Sequence, residues 1–301
     1  MNKTVIVTGA SGFLGSNLIK RLLENGYSVR GVSRSINAKN LIDEKNFSWI
    51  KRDLSLEGLH RSEFDGVDSI FHLAGCWRKE DTESLVNSNV LATIKLMDSV
   101  PDSISRIIFS STQMVYGDPN SLGVTEDCPL DSSHSSYSCS KVCAENWLRF
   151  FQKKKSGSYL NLRFTGFVEG GGLIDYMIDR AINNLPIEIY GGGLVCRDYL
   201  SVENGIDALI AAEKSSIGIG FHNFNIGSGL VISAHELAIA VCKQVKSSSP
   251  IILSSELPLR SNFIFNISKA KMHLKFSPSN LLEVVEKYAQ ARYSISKLLE
   301  L

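Results

Sequence analysis

Thr4-Val5-Ile6-Val7-Thr8-Gly9-Ala10-Ser11-Gly12-Phe13-Leu14-Gly15 decides how the rest of the chain is read. Thr4–Thr8 is a short run of mainly β-branched residues, the composition of a strand. Phe13–Asn25 then carries Phe13, Leu14, Leu18, Ile19, Leu22 and Leu23 at three-and-four spacing, which predicts a helix that Gly26 stops. Between them stand Gly9, Ser11, Gly12 and Gly15. Glycine lets backbone turn tightly and approach a pyrophosphate with no Cβ in the way. The free N–H groups and positive dipole at the helix start favour such an anion. A strand, this turn and a helix in succession predict a dinucleotide-binding unit.

The alternation continues downstream. Strands are expected at Tyr27–Ser33, Phe47–Ile50, Ser69–Leu73, Ile107–Ser110 and Tyr159–Phe164, with helices at Ser84–Ser99 and Tyr137–Lys153. That order implies an α/β fold, a Rossmann-type doubly wound parallel sheet covered on both faces. After Phe164 the rhythm changes. Gly170–Gly172 and Gly191–Gly193 punctuate a helix candidate at Leu173–Asn184, and Pro250, Pro258 and Pro278 interrupt the last fifty residues. Residues 1–166 are expected to form the dinucleotide-binding domain, with later elements from about 199–228 returning to it. Residues 167–301 would form a smaller, less regular, interleaved substrate-binding lobe. Asp131–Ser140 and Ser247–Ser249 are rich in serine and read as loops.

Composition narrows the function. Of 301 residues 44% are hydrophobic, enough for a sizeable core. Lys and Arg number 32 against 31 Asp and Glu, so neither nucleic acid nor a membrane surface has an electrostatic claim. No run of eighteen apolar residues suggests a membrane span. Six cysteines (Cys76, Cys128, Cys139, Cys143, Cys196, Cys242) stand without metal-ligand spacing, which fits reduced thiols and no metal site. Strand-like residues from Thr4 leave no room for a signal peptide, so a cytoplasmic protein is expected.

Two further motifs carry chemistry. Tyr137-Ser138-Cys139-Ser140-Lys141 is YxxxK within a predicted helix, and residues four apart share one face. A phenol titrates near pH 10, too high for a base at neutral pH, and a neighbouring ammonium together with a nicotinamide cation is expected to lower it. Phe109-Ser110-Ser111-Thr112-Gln113-Met114-Val115-Tyr116-Gly117-Asp118 ends a strand at the edge where parallel sheets bind ligands.

With its GxxGxxG turn, YxxxK and SSTQMVYGD, the chain resembles the extended short-chain dehydrogenase/reductase family along nearly its whole length. The similarity is to the NAD-dependent epimerase/dehydratase, sugar-nucleotide epimerase and ketoreductase branch. The resemblance implies Thr112, Tyr137 and Lys141 as the catalytic set. It implies a cofactor held by Gly9, Ser11, Gly12, Phe13, Leu14 and Gly15, by the Asp53-Leu54 pair on the adenine, and by Leu73, Ala74 and Gly75. Asn89, Ser110 and Phe164, with Tyr137 and Lys141, complete that set. Where NAD-preferring members end the second strand in an acid, this chain has Ser33 and then Arg34. The missing repulsion and the added guanidinium lean towards NADP over NAD. His72 reads as a packed strand residue.

Substrate contacts follow the same resemblance. Ile187–Asp207 is similar to the sugar-nucleotide enzymes' RDY segment, which places a diphosphate-binding arginine at Arg197; the alternative is a structural Arg–Asp pair, with Asp198 in that role. Arg260, ahead of Asn266-Ile267-Ser268-Lys269, would be a second diphosphate-binding arginine. Thr112 and Gln113 would face the sugar. Gln113-Met114 stands where dehydratases carry Asp-Glu, which argues against water elimination. Two departures alter the cradle: Gly166 replaces the usual asparagine, and Val168-Glu169-Gly170 replaces Tyr-Gly-Pro. The expected function is an NAD(P)-dependent nucleoside-diphosphate-sugar epimerase or 4-ketoreductase. The alternatives are a reductase of a small ketone or aldehyde and a cofactor-binding regulator without turnover. Analogy with relatives also implies a homodimer, paired through Ser84–Ser99 and Tyr137–Lys153.

Overall fold

The computed structural model describes residues 3–35, 45–77, 81–258 and 260–299. Seven parallel strands form the central sheet: β1 (Thr4–Thr8), β2 (Ser28–Ser33), β3 (Phe47–Lys51), β4 (Val67–His72), β5 (Arg106–Thr112), β6 (Ser158–Phe164) and β7 (Gly220–Ile226). Their spatial order is β3-β2-β1-β4-β5-β6-β7. The chain builds outward from β1 in one direction and then crosses to β4 on its other side. At that reversal the ends of β1 and β4 part, opening a crevice at the carboxyl edge of the sheet.

Helices cover both faces. Helix α1 (Phe13–Glu24) buries Gly15, Leu18, Ile19 and Leu22, the one-face spacing legible in the sequence. It shares a core with β1, β6 and β7. On the opposite face lie a helical stretch at 82–99, here α2, and α3 (Ser136–Lys155), whose Leu96, Met97, Leu148 and Phe151 pack on Ile6, Ile70 and Ile107. A π turn at Val86–Leu91 interrupts α2. Helix α3 begins at Ser136, capped by the Ser135 hydroxyl, so the serine-rich stretch is loop only as far as the cap.

Residues beyond β6 are more regular than the prolines suggested. Helices α4 (Leu173–Ile182), α5 (Val202–Lys214), α6 (Ala234–Gln244), α7 (Ser268–Leu274) and α8 (Leu281–Leu299) occur there. Helix α5 joins α1 in the core of the main sheet. A separate core gathers Ile174, Met177 and Ile178 of α4, Leu237 and Val241 of α6, and Leu281, Val285 and Ala289 of α8. Pro278 precedes α8 and so ends one segment without breaking the next. Three two-stranded parallel pairs tie this region together: Gly166–Phe167 with Tyr199–Leu200, Ile187–Ile189 with Ile251–Leu253, and Ser121–Val124 with Phe263–Phe265. Among the described residues no helix is long and apolar enough to cross a membrane.

Candidate active site

The crevice begins at the β1–α1 turn. Gly9 has φ +68°, and a Cβ there would stand 2.7 Å from the Leu73 carbonyl oxygen. A Cβ on Gly15 would stand 2.2 Å from the Gly9 carbonyl oxygen, so the turn closes against the helix only with glycine at both places. Thr8 fixes the opposite wall, its hydroxyl accepting from the Leu73 and Ala74 amides at 3.1 Å each. His72 bonds Thr8 and Thr93 through its two ring nitrogens, at 2.8 and 2.9 Å. Burial, helped by the Lys141 charge, pushes it down to about 3, so it is a neutral packing residue.

Ser135, Ser201 and Ser233 cap α3, α5 and α6, but no side chain caps α1. Its first N–H groups are available to an anion, at a turn kept free of Cβ atoms. The turn therefore fits a dinucleotide's pyrophosphate.

Two adjoining cavities occupy the crevice, sharing Gly9, Gly12, Leu73 and Gly75. The smaller, about 360 Å³, is also lined by Ser11, Arg34, Asp53, Leu54 and Ala74. Arg34 is exposed, and the Asp53 carboxylate accepts from the Ser55 amide and hydroxyl at 3.0 and 2.6 Å. The larger, about 610 Å³, brings Phe13, Leu14 and Gly15 together with Asn89, Ser110, Thr112, Tyr137, Lys141, Phe164 and Gly166. Asn89 lies in the π turn of α2, where its side chain bonds both the N–H and the carbonyl of Cys76 and the Ser140 hydroxyl, at 2.8–2.9 Å. A π turn at a functional position is a recurrent use of that geometry.

The wall that carries the expected catalytic residues is α3 laid against the end of β5. Tyr137, Lys141 and Glu145 follow one another at intervals of four and meet three consecutive residues of the strand. Lys141 Nζ donates to the Ser110 carbonyl at 2.6 Å, the Ser111 hydroxyl donates to Glu145 Oε1 at 2.5 Å, and Thr112 engages the Tyr137 phenol. Glu145 is held in turn by Arg163 of β6, at 3.1 and 2.7 Å, with both side chains only 2% exposed. Arg163 also donates to the Tyr116 hydroxyl at 2.7 Å, which donates to Asn225 at 2.7 Å. The lysine lies over the Phe109 ring, 4.1 Å from its centre.

In the chain alone, the phenol lacks the nicotinamide charge on which the expected acidification partly rests. Burial pushes Tyr137 up to about 12; Thr112 pulls against that and Cys76 adds to it. The lysine bonds the Ser110 carbonyl, and its own pKa falls to about 8 through burial, with Glu145 opposing the fall. The chain's own charges therefore do not make the phenol acidic.

Three predicted substrate residues lie off these cavity walls. Gln113 accepts from the Thr165 hydroxyl at 3.1 Å. Arg197 is pinned to Asp118 at 3.3 Å and to the Ser261 carbonyl at 3.0 Å, above the Phe263 ring. Arg260 is exposed, close enough to Asp118 and Arg197 to act on both electrostatically. Asp198 is buried and accepts from Ser228, Gly229 and Phe265, a structural role. The cavities also include residues that sequence reasoning missed: Arg52, Cys76, Trp77, Phe167, Glu169 and Tyr199. Of these Glu169 and Tyr199 had a signal, the departure from Tyr-Gly-Pro and the RDY segment respectively. Among the described residues no cluster of His, Cys, Asp and Glu could hold a metal, and no disulfide joins any of the six cysteines.

Residues 5–227 match the NAD dependent epimerase/dehydratase family. A UDP-glucose 4-epimerase of Neisseria meningitidis serogroup A is 28% identical over 274 residues, 78% of this chain and 80% of that one. A dTDP-4-dehydro-6-deoxyglucose reductase of Escherichia coli is 25% identical over 304 residues, 93% of this chain and 94% of that one. Among solved structures, a UDP-glucuronic acid 4-epimerase of Bacillus cereus in complex with NAD superposes with a TM-score of 0.82 at 25% identity, covering 98% of this chain and 99% of that one. Glycine turn, sheet reversal and Tyr–Lys helix thus agree with similarity over most of the sequence: the chain belongs to the NAD dependent epimerase/dehydratase family.

Proposed function

We propose that this enzyme is a nucleoside-diphosphate-sugar 4-epimerase working with a nicotinamide dinucleotide. The observation that carries the reading is one cavity lined by the glycine turn at one side and by Tyr137, Thr112 and Lys141 at the other. A bound nicotinamide supplies a hydride acceptor and, when oxidised, a positive charge. Gly9, Gly12 and the start of α1 would hold the pyrophosphate, and Lys141 would hold the nicotinamide ribose. Thr112 orients the C4 hydroxyl of the sugar, and Tyr137 takes its proton as the C4 hydrogen leaves as hydride. Return of hydride to the other face of the resulting ketone, with return of the proton from Tyr137, completes epimerisation. Since the protein holds the phenol up, the cofactor's charge is the remaining source of acidity.

The second reading is a 4-ketoreductase, in which the keto sugar is the substrate and a reduced cofactor is consumed. The Escherichia coli relative and the replacement of the substrate asparagine by Gly166 favour it. Incubation with UDP-glucose and NAD, followed by sugar analysis, separates the two. Appearance of the C4 epimer without net change in nicotinamide absorbance supports the epimerase. Oxidation of added NADPH by a 4-keto sugar nucleotide supports the reductase.

The similar Bacillus cereus structure contains NAD. The sequence preference for NADP rests on Arg34, which lines the smaller cavity beside Ser33. A homodimer through α2 and α3 is part of the same proposal, because Val86, Leu91, Trp147 and Phe150 leave an apolar surface exposed on those helices.

A further inference from the structure

Glu169 is the side chain of the altered cradle that the proposed reaction leaves unused. It lines the larger cavity with Thr165, Gly166, Phe167 and Tyr199, in the same enclosure as Tyr137 and Thr112. One carboxylate oxygen accepts from the Val202 amide at 3.1 Å, at the first turn of α5. Burial, with Glu203 and Asp175 nearby, raises its pKa. Among the described residues lining this cavity, only Glu169 and Lys141 carry charge. The Lys141 ammonium bonds the Ser110 carbonyl and, in the proposed function, holds the nicotinamide ribose. Among the described wall residues this leaves a carboxylate, and no cation beyond the one assigned to the cofactor, to meet the sugar.

We propose that Glu169 is a charge filter, admitting nucleotide sugars whose ring is uncharged and turning away those whose ring carries a carboxylate. A sugar hydroxyl can donate to Glu169, whereas a uronate would bring a second anion into a partly desolvated space. Specificity of this kind comes from what the site repels as much as from what it attracts. The proposal rests on the reading that the cavity receives a nucleotide sugar.

The test is a binding titration of UDP-glucose, UDP-glucuronic acid and UDP in the presence of NAD, on the native protein and on Glu169→Gln. The glutamine oxygen can still accept from Val202, which preserves the helix start. Native protein should bind UDP-glucuronic acid at least about tenfold more weakly than UDP-glucose, and Glu169→Gln should shrink that ratio about tenfold. A native ratio near one would overturn the filter. So would a ratio unchanged in the variant, or equal weakening of both ligands, which marks a structural role for Glu169. Failure of all three UDP ligands to bind would instead overturn the nucleotide-sugar reading, and the filter with it.

Discussion

The two sides of the crevice are built differently. On the side of the expected catalytic residues each group is held by short bonds: Lys141 and Glu145 to the sheet through Ser110, Ser111 and Arg163, and Asn89 to Cys76 in the loop after β4 and to Ser140 of α3. On the substrate side, the two arginines expected to meet a diphosphate share one acid, Asp118, outside the cavity walls. The first side is preorganised, as chemistry that tolerates little misplacement demands. The substrate side has bonds to exchange before a diphosphate can use Arg197.

Substitutions should expose that contrast. The largest effect belongs to Tyr137→Phe, which should cut turnover by about 10²–10⁴-fold while NAD affinity, read by fluorescence titration, stays nearly unchanged. Glu145→Ala leaves Arg163 as a buried unpaired charge and should cost about 3–5 kcal/mol in denaturant unfolding. If it costs no more than a surface change, that wall is not held as described. Arg197→Ala should raise KM for a sugar nucleotide about tenfold with a smaller change in kcat; an unchanged KM would mean that the Asp118 pair never opens.

A pH profile probes the lysine. Burial brings Lys141 down to about 8, so its ammonium is present below that pH and lost above it. The kcat/KM should therefore fall on an alkaline limb near pH 8, and Glu145→Gln, by removing the opposing charge, should move that limb to lower pH. A limb unmoved by the variant would separate Lys141 from its neighbour. The smallest effect is expected at Arg34, an exposed side chain. Arg34→Ala should weaken NADP about two- to fivefold more than NAD, and equal losses would leave cofactor choice elsewhere.

How much could be read in advance follows the same division. The β1–α1 turn, the YxxxK helix and the strand ending at Thr112 are each specified within a few neighbouring residues, by apolar spacing and glycine placement. The parallel sheet then brings their carboxyl ends together. The substrate side depends on pairings between distant segments, such as Ser121–Val124 with Phe263–Phe265, which no local pattern announces. Helix α8 went unread because Pro278 drew attention from the Leu281, Val285 and Ala289 spacing behind it. Sequence shows that a lysine is near Tyr137 but not that it faces a carbonyl, and a motif does not reveal the burial that holds the phenol up in the chain alone.

The account stands most directly on one measurement, the fate of hydrogen at the sugar's fourth carbon. UDP-glucose carrying deuterium at C4, incubated with enzyme and NAD in ordinary water, should yield its C4 epimer with the deuterium retained, because the transferred hydrogen would move as hydride between sugar and cofactor and never exchange with water as a proton. No epimer, or an epimer whose label has been lost to solvent, would contradict it.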